Sequence, residues 1–241
     1  MPADSRSRRD RPAKPPLSRD WIVAATIEIM RAEGLPKATM RRVAQALDTG
    51  PASLYVYVAS TAELHAAVLD ELIGPLPVRA GGDWRDRLEG LLRDYAGILF
   101  THPGLARSAL VLRAAGPNAI RLYDRILALL LEGGVPAARA AWGLDLLLAY
   151  VTANAAEHSA PDAGDAVDDA AVDETAARDD LARALGAADP AVAPHVREHA
   201  GALMSGTPAE RVTWALRALM AGIAVTPTPL DRPVRTDDRL T

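Results

Sequence analysis

Tyr55 and Tyr57 flank Val56 in the stretch GPASLYVYVAS, residues 50–60, whose other side chains are mostly small. Phenolic hydroxyls can donate to phosphate oxygens, and short residues such as Pro51, Ala52 and Ser53 let a helix backbone approach base edges. That chemistry is recognition of DNA. The alternative is that the two tyrosines simply pack, partly buried. A second constellation, His195-Val196-Arg197-Glu198-His199, spells H-x-x-E-H. Two histidines four apart on a helix can share a zinc ion, as in one class of metallopeptidase. That site needs another acidic ligand well downstream. Only 42 residues follow His199, and their acids, beginning with Glu210, offer no clear partner helix. A zinc peptidase on His195, Glu198 and His199 therefore stands as an alternative without its last ligand. No Ser/His/Asp order, phosphate-cradling glycine loop or nucleotide fingerprint occurs, so the reading is a non-enzyme with no cofactor and no metal.

The elements that would hold Tyr55 and Tyr57 are short helices. Ser18 is suited to an N-cap, Asp20 falls in the first turn, and Leu17 and Ile22 are spaced as a hydrophobic staple. Ile22, Ala25, Ile29 and Met30 continue a helical stripe that Gly34 stops. A second helix runs from Thr39 through Leu47, and Pro51 fits the first position of a third. Ser60-Thr61-Ala62-Glu63 reads as a capping box for a fourth, with Leu64, Val68 and Leu72 on its face. Three helices of about 16, 9 and 7 residues with short links suggest a helix-turn-helix resting on a first helix. The third helix would be anchored inward by Leu54 and Val58 alone. Its sparse apolar surface makes sense if its other packing partner is DNA.

Composition agrees with an all-α chain. Of 241 residues about half are hydrophobic, 49%, yet aromatics are only 4%, and alanine and leucine dominate. Cysteine is absent, which excludes disulfides and thiolate metal sites and suits a reducing compartment. No apolar run is long enough to span a bilayer, and the basic, proline-containing N-terminus lacks the apolar stretch of a secretory signal. The expected location is the cytoplasm. The net charge of −4 is unevenly spread: residues 1–61 hold ten Lys/Arg against six acids, so the remainder carries −8. A basic front on an acidic body suits a polyanion-binding module fused to a second domain. The same arm could serve only to keep the chain in solution.

The stretch TMRRVAQALDTGPASLYVYVASTAELHAAVLDEL resembles the DNA-binding domain of the TetR (tetracycline repressor) family. The resemblance rests on Arg42-Val43-Ala44 with Leu47, on Leu54-Tyr55-x-Tyr57-Val58, and on the capped helix with Leu64 and Val68. It covers roughly residues 17–73. It implies a homodimer on a palindromic double-stranded DNA operator, released by a small-molecule effector. By motif position it places Arg41, Pro51, Ala52, Ser53 and Val56 on bases, and Thr39, Tyr55 and Tyr57 on the backbone. Two positions depart from the pattern: Asp48 stands where glycine is usual, and Thr61 where a phosphate-gripping lysine is common.

The expected organisation is a disordered basic arm over 1–16 and a helix-turn-helix domain over 17–73. A helical effector-binding and dimerisation domain follows over 74–226, with a mobile acidic segment at 159–180, and then a disordered tail over 227–241. Residues 136–158 and 207–224 are long, alanine-rich and apolar on more than one side, as expected of helices that pair with a second subunit; they could also be ordinary core helices. Thr207-Pro208-Ala209-Glu210 is a second capping box. Tyr95, His102, Arg113, Asn118, Tyr123, Trp142, Asn154 and His158 are the candidate lining of an effector pocket, which would be mostly apolar and suit a hydrophobic or aromatic ligand. The competing reading is a helical ligand-binding protein without specific operator recognition.

Overall fold

The computed structural model describes residues 16–157 and 174–231, in which all regular structure is helical. Helix α1 (Arg19–Glu33) starts where expected, with the Ser18 hydroxyl accepting from the Trp21 amide at 3.2 Å. It ends at Gly34, whose φ of 87° is costly for any residue with a Cβ. Helix α2 (Met40–Ala46) is capped by Thr39, and α3 (Pro51–Leu54) opens on Pro51. Helix α4 (Thr61–Ile73) is capped by Ser60, which accepts from the Glu63 amide at 3.1 Å. The reciprocal bond of the expected box goes one residue further back, from the Ala59 amide to Glu63 at 2.7 Å. Ile22, Val43, Leu47, Leu54 and Val58 from α1 to α3 and their links close a small core together with Leu64 and Val68 of α4.

A larger core is built by α5 (Trp84–Thr101), α6 (Pro103–Val111), α7 (Pro117–Glu132), α8 (Ala137–Glu157) and α11 (Pro208–Val225). Gly143 lets α8 and α11 approach closely: a Cβ there would lie 2.6 Å from Ile223. Helices α9 (Glu174–Gly186) and α10 (Pro194–Met204) pack on each other, with no fully buried side chain among residues 176–186 and 194–204.

Helix α4 belongs to both cores. Leu64 and Val68 face the small one, while Leu69 and Ile73 face the large one. Between them the buried Asp70 carboxylate accepts from the Ala119 amide at 2.7 Å and from the Asn118 amide at 3.4 Å. It thus caps α7 from 48 residues away, satisfying orphan N–H groups and meeting the positive end of the helix dipole. Gly116 makes room, since a Cβ there would sit 2.3 Å from that carboxylate. Asp70→Ala should therefore cost about 1–3 kcal/mol of stability, because it strands buried donors. A urea midpoint unchanged from the parent would contradict this.

Two expectations need correction. Residues 174–180, read as part of a mobile acidic segment, form the first turns of α9, where Arg178 donates to the Met204 carbonyl at 2.7 Å. The tail from 227 is ordered as far as Asp231: residues Pro229–Asp231 make a 3-10 turn held by Arg139 to Asp231 at 2.9 Å and by the Thr228 amide to Asp231 at 2.6 Å. The arm over 1–15, the acidic residues 158–173 and the tail over 232–241 lie outside the described residues.

Candidate functional site

The turn between α2 and α3 is made by Asp48, the only non-glycine residue of positive φ (49°) among the described residues. Asp tolerates the left-handed conformation, so the missing glycine does not break the motif. The Thr49 amide returns to the Ala44 carbonyl at 2.9 Å and closes the turn. The third helix is shorter than the seven or so residues expected. Its α-helical part ends at Leu54, and one further turn follows, with the Tyr57 and Val58 amides both bonding the Leu54 carbonyl at 2.9 and 3.0 Å. Leu54 and Val58 are 0% exposed, whereas Tyr55, Val56 and Tyr57 are 53%, 80% and 37% exposed. Pro51, Ala52 and Ser53 are also exposed.

Beside this face, the Thr39 oxygen accepts from the Arg42 amide at 3.2 Å, which leaves its own O–H free to donate outward. Arg42 turns back to Glu33 at 2.6 Å, and that guanidinium holds the Glu33 carboxyl below its ordinary range. Arg41 is exposed and has no ion pair among the described residues. The sequence-predicted contact residues are thus all exposed, on α2, α3 and the residues flanking them.

The second site is a cavity of about 130 Å³ between α5, α6, α7 and α8. Ile73, Leu122 and Leu148 form its apolar wall, and Tyr95, Tyr123, Thr152 and Arg113 supply its polar groups. The Tyr95 hydroxyl lies 3.4 Å from the Thr152 hydroxyl, a long contact, while the Tyr123 hydroxyl donates to the Ala114 carbonyl at 2.6 Å. Burial raises the pKa of both phenols, so they remain neutral hydrogen-bonding groups at neutral pH. Arg113 forms an ion pair with Asp145 of α8.

Of the expected lining residues, Tyr95, Arg113 and Tyr123 meet in this cavity, joined by Thr152, which sequence reasoning missed. The others lie elsewhere. Asn118 is buried at the α4–α7 junction, donating to Asp70 at 3.3 Å and accepting from Arg121. Trp142 is exposed on the outer face of α8, and Asn154 lines a separate open groove with Phe100, Tyr150 and Trp214. His158 is outside the described residues. His102 links α5 to α6 near Arg31 of α1. Burial first, and the Arg31 charge second, lower its pKa. The unfolded chain then binds the proton more readily than the native one. Stability is full above the unfolded-state value near 6.5 and is lost as pH falls from there through the lowered folded-state value. Between pH 7 and 5.5 the melting temperature should drop more steeply in the parent than in His102→Asn, and equal slopes would rule this out.

Helix α6 joins the two sites. Leu105 enters the small core, Ser108 Oγ lies 2.7 Å from His65 Nδ1 of α4, and Ala109 and Leu110 line the cavity. Helix α6 thus touches both the cavity and α4, the helix that follows the exposed tyrosines. On the outside, α8 and α11 present Trp142 (54% exposed), Leu146 and Ala218 beside an apolar groove of about 730 Å³. His195, Glu198 and His199 are all exposed on α10, and no group of three His, Cys, Asp or Glu suited to a metal forms among the described residues. Among those residues no helix is long and apolar enough to cross a membrane.

The family model for the tetracyclin repressor-like C-terminal domain matches residues 76–226. The fold and sequence are similar to a transcription regulator from Streptomyces coelicolor, SCO7704, at 49% identity and a TM-score of 0.76, over 90% of this chain and 98% of that one. ActR, a TetR family protein of the same organism solved in complex with actinorhodin, is 32% identical with a TM-score of 0.71, over 87% of this chain and 96% of its own. The HTH-type transcriptional repressor DrrR1 of Streptomyces coeruleorubidus is 36% identical over 135 residues, 55% of this chain and 50% of that protein. The chain spans about half the length of the curated relatives it matches. A helix-turn-helix face, a helical body with a cavity between its helices and these similarities lead to one assignment: the chain belongs to the TetR family of transcriptional regulators.

Proposed function

We propose that the protein is a homodimeric transcriptional repressor that binds a palindromic operator in the cytoplasm and is released by a hydrophobic or aromatic effector. One observation carries the reading: a short helix and the turn that follows it, anchored by two fully buried residues, Leu54 and Val58, present Pro51, Ala52, Ser53, Tyr55, Val56 and Tyr57 to solvent. A short apolar surface of this kind gains nothing from water and fits a major groove, with Arg41, Thr39 and the two phenols reaching phosphates and base edges. Two such faces about 34 Å apart would read successive grooves. ActR's complex with actinorhodin supports a small-molecule effector here, and the repressor DrrR1 supports repression over activation.

The effector would act only through a difference in its affinity for two conformations. Cavity, α6 and α4 lie in line for such a difference, because the Ser108–His65 bond and Leu105 tie the cavity wall to the DNA-binding core. Selection of binding duplexes from a random pool tests the function. A palindrome with half-sites roughly one helical turn apart is the expected product. Enrichment of no common sequence would favour a helical ligand-binding protein that does not read an operator.

A further inference from the structure

Arg113 alone carries charge among the described residues that line the cavity; the remaining lining is apolar or hydroxylic. Its guanidinium is not aimed inward without a partner. It is held by Asp145, which stands on the outer face of α8 beside Trp142 and Leu146. Ala149, one turn along, lines both the cavity and that outer groove. The ion pair thus stands at the thin wall between the ligand space and the surface of α8. Within the single subunit both side chains are more than half exposed, Asp145 at the edge of the face proposed to meet a second copy, so packing inside one chain does not lock their bond against a better partner.

The geometry points to an effector that is an aromatic carboxylate, whose carboxylate takes Arg113 from Asp145 while its ring fills the space against Ile73, Leu122 and Leu148. This rests on the cavity being the effector site. Arg113 offers the planar fork that carboxylates bind bidentately, and Tyr95 and Thr152, in only long contact with each other, are available to a second ligand oxygen. A cavity of about 130 Å³ suits one aromatic ring. Asp145 then acts as a built-in stand-in for the ligand. Its displacement frees the segment that leaves α6 and places an unpaired carboxylate on the α8 face.

Benzoate and benzamide, the same shape with and without charge, are the probes, and calorimetry on the intact protein without DNA is the readout. Benzoate should bind at least about tenfold more tightly than benzamide. In Arg113→Gln that preference should vanish while benzamide binding stays. Asp145→Asn should tighten benzoate roughly two- to fivefold by removing the competitor. In the Arg113→Gln background it should change nothing, which separates ion-pair exchange from a general effect of charge. Equal affinity for both probes, no binding of either at millimolar concentration, or an Asp145→Asn effect that persists without Arg113 would each overturn the inference. Because no DNA is present, such a failure is distinct from a failure of operator recognition.

Discussion

Tyr55→Phe combined with Tyr57→Phe should weaken operator binding about 10²- to 10³-fold and leave the melting temperature unchanged. The two hydroxyls belong to exposed side chains that take no part in either core, so their removal strands no buried group. In a dimer the double variant deletes four hydroxyls, each worth about 1 kcal/mol net when bonded to a phosphate. Simple addition would give about 4 kcal/mol, and incomplete additivity brings the loss into the stated range. The weakening should be similar on operator and unrelated duplex, since phosphate contacts carry little sequence information. Parent-like affinity would mean that the tyrosines pack against protein only. Stability lost in parallel with affinity would point the same way.

The second large effect concerns the α8–α11 face. Trp142→Glu with Leu146→Glu places two carboxylates on each copy of an apolar surface proposed to meet its own symmetry mate, so like charges would be buried against each other. Sedimentation should report a monomer with undiminished helicity, because both side chains are exposed in the single chain. Operator affinity should fall about 10²- to 10⁴-fold, as the second half-site loses its tether. A variant that stays dimeric would show that this face is not the subunit contact.

Local features of the fold were legible in the chain. Ser18, Ser60 and Thr207 each cap a helix within four residues, so their types and spacing suffice to place them. The inward anchors Leu54 and Val58 follow from helical periodicity in the same way. What escaped depends on distant pairings. Asp70 interrupts an apolar stripe and reads as a misplaced acid until α7 is brought to its carboxylate. Thr152 and Ser108 are ordinary helix residues until Tyr95 and His65 arrive from 57 and 43 positions away. The start of α9 is acidic and alanine-rich, a composition shared with solvated linkers, and it is the bond from Arg178 to α10 that distinguishes it. Asn118 shows the converse: a polar residue amid apolar sequence signals a buried partner without saying whether that partner is ligand or protein.

Operator reading by the face around α3 is tested by fluorescence anisotropy of the protein on a selected duplex and on its scrambled counterpart across a salt series. Two subunits should bind each selected duplex, with an affinity at least about 10³-fold above that for scrambled DNA at physiological salt. The logarithm of the binding constant should fall linearly with the logarithm of salt concentration, with a slope set by the phosphates engaged. Equal affinity for both duplexes would contradict the claim that the face around α3 reads an operator.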